Sequence, residues 1–206
     1  MLTVTGVAVV KVKPDQAKLT WTIEARADAP ASAMSALSSK TASLLAALEA
    51  FGLPKEDLAS SVLSLSPNFQ FIDRQPPKLL DYSATTRLEV TINHLPAFPE
   101  IVQIGLDFGV TALGNLVFLT KDEARWQSQT RQNAMKDALV KAQDYAEAAD
   151  VKLGQLISLT DRVAERSGPP GFLSAQRGLS EAGIVPKDVA FRQSVIAQYE
   201  ILVKPE

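Results

Sequence analysis

From Thr120 to about Asp150, small apolar side chains recur every three or four residues. Ala124, Ala134, Met135, Ala138, Leu139, Ala142, Ala146 and Ala149 form one stripe that leads to Leu153. That period is the signature of a helix with one face turned inward. Arg131, Lys136, Asp137, Lys141, Asp144, Glu147 and Asp150 fill the other face, with Asp137 and Lys141 one turn apart. Thr120-Lys121-Asp122-Glu123 supplies a capping-box pattern, and its two acids suit the positive end of the helix dipole. Thirty residues at 1.5 Å of rise span roughly 45 Å. A helix that long must cover a whole sheet or project beyond one, so the rest of the chain has to be arranged around it.

What precedes it reads mainly as strands. Val4, Gly6, Ala8, Val10 and Val12 alternate with Thr3, Thr5, Val7, Val9 and Lys11, and Pro14-Asp15 makes a turn. Ala17, Leu19, Trp21, Ile23 and Ala25 then alternate with polar neighbours. The short connection predicts an antiparallel hairpin between these two strands. Asp28 before Ala29-Pro30 predicts an N-cap, and a helix runs to Phe51 along Ala33, Leu37, Thr41, Leu44 and Leu48. Gly52 and Pro54 end it. Ser61 to Phe71 reads as a strand that Pro67 confines to an edge or a bulge. Tyr82 to Ile92 is its hairpin partner. A short helix over about Ala97 to Asp107 is stopped by Gly109, and Leu113 to Leu119 leads into the long helix. Gln155 to Thr160 and Val189 to Val203 are the last strands.

This order predicts an α+β fold: a largely antiparallel, twisted sheet with helices on one face, including the long helix over about 120–150. With no repeat and no second core evident, residues 1–206 read as a single domain. A long loop or arm over 163–187 interrupts it, carrying Phe172, Leu173, Leu179 and Ile184 among glycines and prolines.

The totals exclude several function classes. A net charge of −2 gives no field for steering nucleic acid. No apolar run approaches the ~18–20 residues of a membrane-spanning helix. The absence of cysteine removes disulfides, thiolate nucleophiles and zinc-finger sites. Met1 and Leu2 lead directly into a strand, so no export signal is read here, which points to a cytoplasmic chain or a processed one.

Catalytic patterns are sparse. The single histidine, His94, sits at a strand–helix junction, where a general base or ligand role competes with a capping role. No serine lies in a Gly-x-Ser-x-Gly elbow, and no glycine-rich loop matches a phosphate cradle. Asp144 and Glu147 could share a cation, but read better as a solvated face. No cofactor and no metal site is expected. Ser60, Ser61, Ser64 and Ser66 suit a solvent-facing strand edge. Trp126, near the start of the long helix and off its stripe, is a candidate interface anchor, together with Phe172, Leu173, Leu179 and Ile184.

The order of these motifs resembles the SIMPL-domain family. The resemblance rests on Val4-Thr5-Gly6 with Val10, Val12 and Pro14-Asp15, on Phe51-Gly52-Leu53, and on Ser64-Leu65-Ser66-Pro67-Asn68-Phe69. Tyr82-Ser83-Ala84, Gly109, Phe118, the ladder Ala134, Ala138, Ala142, Ala146 and Leu153-Gly154 complete it. It implies an α+β fold, a periplasmic or secreted location in bacteria, and an association with stress responses and surface antigens. It supplies no catalytic residues. Asp150 stands where the family pattern has a glycine. The reading that follows is a non-enzymatic cell-envelope protein that forms homo-oligomers or binds a protein partner. The alternative is a binding module for a small or peptidic ligand at the 60–71 strand edge. A third is an enzyme, such as a hydrolase, using His94 or the acidic pair Asp144 and Glu147.

Overall fold

A computed structural model of the protein describes residues 1–73, 76–162 and 186–203. Seven strands and three helices follow one another: β1 (Leu2–Val12), β2 (Gln16–Ala27), α1 (Pro30–Phe51), β3 (Leu58–Gln70), β4 (Lys78–Ile92), α2 (Phe98–Asp107), β5 (Val110–Leu119), α3 (Glu123–Ala148), β6 (Val151–Arg162) and β7 (Val189–Val203). The fold is α+β, with antiparallel pairing along both β1–β7–β6 and β3–β4–β2. The strands make two sheets rather than the one expected, ordered β1-β7-β6 and β3-β4-β2-β5.

Among the described residues the chain divides into two compact units. One holds Asp15–Phe118; the other holds Met1–Pro14 and the chain from Leu119. The expected β1–β2 hairpin is therefore corrected: β1 pairs with β7 and β2 with β4. The link Lys13-Pro14-Asp15 has no residue at positive φ, whereas tight hairpin turns need one. The chain passes from one sheet to the other instead of folding back.

The Asp15–Phe118 unit is a split βαβ arrangement, β2-α1-β3-β4-α2-β5. Its core is Trp21, Ile23, Leu44, Leu48, Leu88 and Ile92, between the sheet and α1. Proline at the first turn of α1 fixes the backbone for a helical start, as expected. The cap is Ala29, without a side-chain bond, so Asp28 lies one residue too early. At the other end Gly52 takes φ 108, and Gly52 and Leu53 donate to Leu48 O, the pattern that closes a helix. Gly109, at φ 86, follows α2 in the same way. Gly105 on α2 lets that helix lie on the Trp21 ring, where a Cβ would come within 3.0 Å of the indole.

In the other unit α3 lies over β1 and β7. It is unbroken over 26 residues, about 39 Å at 1.5 Å per residue. The buried set is narrower than the stripe read from the sequence: Thr130, Ala134, Ala138, Ala142 and Ala146, strictly one every fourth residue. Leu139 and Ala149 are exposed. The reason is depth. A Cβ added to Gly6 on β1 would lie 2.0 Å from Ala134 O and 2.7 Å from Ala138 Cβ. Helix and strand thus touch backbone to backbone, and only alanine fits between them. Val4, Val195, Ala197 and Tyr199 complete this second cluster, which the sequence reading had not found. The expected Thr120–Glu123 capping box does not form either: Asp122 is the cap residue, it makes no side-chain cap bond, and Thr120 is buried. After the helix, Asp150 takes φ 54, so an aspartate occupies the left-handed position for which the sequence reading expects glycine.

Candidate functional site

Among the described residues the two sheets have four strand edges, and each is treated differently by its sequence. An unpaired edge offers a row of backbone N–H and C=O groups to any other strand, so natural edges are blunted by charge, bulges or cover. The edge of β1 is covered from α3. Val7 N donates to Asp137 Oδ2 at 2.8 Å, and Lys141 Nζ donates to Thr5 O at 3.1 Å. The same lysine binds Asp137 Oδ2 at 2.7 Å. The pair read as one turn apart on a solvated face therefore occupies a donor and an acceptor of the free edge. The Lys141 hydrogen bond, and after it the Val7 N–H, hold the Asp137 carboxyl below the ordinary aspartate range. On β6 the register slips twice, between Leu153 and Leu156 and again before Ser158. On β5 the regular strand is interrupted at Asn115, which takes φ 46.

β3 is interrupted by bulges but carries no charge. Leu58–Gln70 contains no charged side chain, and nearly all of it is exposed. Register shifts lie between Ser60 and Val62 and between Asn68 and Phe69. Between them Val62 to Asn68 runs in regular antiparallel pairing with Arg87 to Asp81 of β4. Pro67 is tolerated because the strand is an edge, as the sequence predicts. Leu63 and Leu65 pair with Thr86 and Ala84, whose side chains are buried on the helix-covered face. Yet Leu63 is 64% exposed and Leu65 42%, because α1 packs on β2 and β4 and leaves the outer strand largely bare. Val62, on the opposite face, is 43% exposed. At the hairpin end Phe69, Phe71, Ile72, Leu79 and Leu80 are also exposed. The open face of the same sheet is polar by contrast, with Lys18 on Glu89 at 2.5 Å and Arg26 on Glu24 at 2.6 Å. Within this sheet the apolar exposure thus belongs to the edge and not to the open face.

The four serines Ser60, Ser61, Ser64 and Ser66 are exposed along this strand, as expected of a solvent-facing edge. Trp126 is half-buried in the first turn of α3, with the Arg125 guanidinium 5.0 Å from its ring centre. Phe172, Leu173, Leu179 and Ile184, and most of the 163–187 segment, lie outside the described residues. Asp144 and Glu147 are exposed on α3, and no group of three metal-ligating side chains occurs among the described residues. His94 precedes a short 3-10 turn, Leu95–Ala97, without capping it through its side chain. It lines a cleft with Asp57 and Asn93, which sequence spacing had no means of bringing together. Among the described residues no helix is long and apolar enough to cross a membrane.

The chain is similar to a periplasmic protein and to uncharacterized proteins of bacteria. It is 26% identical over 181 residues to the 26 kDa periplasmic immunogenic protein of Brucella melitensis, covering 86% of this chain and 71% of that protein. It is 24% identical over 165 residues to the uncharacterized protein YggE of Escherichia coli K12, covering 80% of this chain and 67% of that one. The YggE protein of Edwardsiella ictaluri is 23% identical over 165 residues, 80% of this chain and 69% of its own length. Residues 2–199 match the model of the SIMPL family, described as a protein of unknown function (DUF541). With that match spanning nearly every element described above, the chain belongs to the SIMPL family.

Proposed function

We propose that this protein is a non-catalytic component of the cell envelope that works by assembling with further copies of itself, through the β3 edge. The observation that carries the reading is the contrast between edges: Asp137 and Lys141 occupy the β1 edge, while β3 presents Val62, Leu63 and Leu65 on a strand that has no charged side chain of its own. An uncharged apolar edge in a lone protein invites indiscriminate pairing, so it persists where a specific strand covers it. The periplasmic name of the Brucella relative supports the location. Strand pairing alone falls short of the roughly 800 Å² per partner of a stable interface. Trp126, with the Arg125 guanidinium over its ring, and the apolar residues Phe172, Leu173, Leu179 and Ile184 are the proposed additional contacts.

Light scattering on the purified protein at tens of micromolar tests this. The reading expects a mass that is a multiple of 22.2 kDa. A monomer under those conditions removes self-assembly. An extended peptide is the other occupant such an edge accepts, and it would leave the free protein monomeric while adding a strand to β3 when supplied.

A further inference from the structure

The cleft beside His94 lies wholly within the Asp15–Phe118 unit and has a volume of about 250 Å³. Its floor is apolar: Leu53, Ile92 and Ile101 are core residues, and Phe51 and Ala97 stand at its sides. Four polar side chains share the lining, Asp57, Thr91, Asn93 and His94. Asp57 is held there by a relay of amides. Gln16 Nε2 donates to Asn93 Oδ1, and Asn93 Nδ2 donates to Asp57 Oδ2 at 2.5 Å. The relay orients the carboxylate but does not neutralise it, because both amides are uncharged. Among the described residues nothing donates to Asp57 Oδ1. No lysine or arginine lines the cleft, and the adjacent Lys55 is turned to Glu49, Nζ to Oε2 at 3.5 Å.

An oriented carboxylate without a cation, above an apolar floor, fits one class of small molecule. We infer that this cleft binds a small organic ammonium, its apolar body on Leu53, Ile92 and Ile101 and its N–H groups on Asp57 Oδ1. Charge-assisted bonds of this kind are about twice as strong as neutral ones. An anion of the same shape meets a carboxylate where it would need a donor. The volume lies below the ~300–1,000 Å³ of drug-sized sites, which restricts the body to one ring or a short chain. Among the described residues no three metal-ligating side chains converge, so the cleft offers no ligand set for a chelated metal ion.

The test uses 2-phenylethylammonium and phenylacetate, which share a ring and differ in charge, titrated into the ¹⁵N-labelled full chain. The ammonium is expected to shift the amides of Leu53, Asp57, Ile92 and Ile101 saturably, with a Kd of about 1 mM or tighter. Phenylacetate is expected to bind at least about tenfold more weakly. Asp57→Asn, which keeps an oxygen for Asn93, is expected to lose a similar factor with its spectrum otherwise preserved. Saturable binding of phenylacetate as tight as the ammonium overturns the inference on the wild-type protein alone. So does the absence of cleft shifts at about ten times that concentration. Unchanged affinity in Asp57→Asn does the same. None of these readouts depends on assembly through β3, so failure here and failure of the assembly reading are separable.

Discussion

Gly6 is the residue on which the β1–α3 layer turns. Its missing side chain is replaced by the α3 backbone itself, 2.0 Å from where a Cβ would sit. Neither strand nor helix backbone yields easily, so Gly6→Ala is expected to cost at least about 3 kcal/mol, the upper end of over-packing. Gly114→Ala is the control, since its nearest neighbour is 3.9 Å away, and it should stay within about 1 kcal/mol of wild type. Urea denaturation of the two variants measures both. Asp137 gives a pH-dependent counterpart. Its folded-state pKa is depressed by Lys141 and the Val7 N–H, so its contribution is present above the ordinary aspartate range and is lost as pH falls through the lower, folded value. Asp137→Asn keeps an acceptor for Val7 but loses the charge. Its deficit at neutral pH is expected to be under about 1 kcal/mol, as for exposed pairs, and to vanish near pH 2 in paired denaturation curves. An equal deficit at both pH values would assign the effect to something other than this titration.

At the scale of elements, α3 shows what periodicity reveals and what it conceals. The alanine ladder was legible as a helix face, and its length came within a few residues of the observed Glu123–Ala148. What the pattern could not supply was depth. Ala138 and Leu139 look equivalent in the sequence, yet Ala138 is fully buried against Gly6 and Leu139 is 39% exposed. Ala138→Leu should therefore lift the helix and cost about 3 kcal/mol or more, whereas Leu139→Ala should cost under about 1 kcal/mol. Thermal unfolding of the pair distinguishes them, and similar losses would mean the helix sits higher than described. Pro67 was legible too, because a residue without an N–H belongs on an edge. The β1–β2 hairpin was misread because alternation identifies a strand but not its partner. The partner of β1 is β7, nearly two hundred residues away, and only complementary inward faces select it. The Asp57–Asn93–Gln16 relay was hidden for the same reason, since its members come from three separate elements.

For the molecule as a whole, the organisation follows from which backbone groups are left over. Two antiparallel sheets generate four edges: β1 carries a side-chain plug, β5 a left-handed residue, and β6, like β3, slipped register. The fourth, β3, carries apolar side chains into solvent and no charge. Substituting Leu63 by lysine places a charge on that edge without removing core volume, since the side chain is 64% exposed, so the fold should be retained within about 0.5 kcal/mol. Sedimentation velocity of wild type and Leu63→Lys across a hundredfold dilution is the most direct test. The account predicts a wild-type species heavier than 22.2 kDa that dissociates on dilution, and a variant at 22.2 kDa throughout. A wild-type protein at 22.2 kDa at every concentration, or a variant that assembles as readily as wild type, would contradict it.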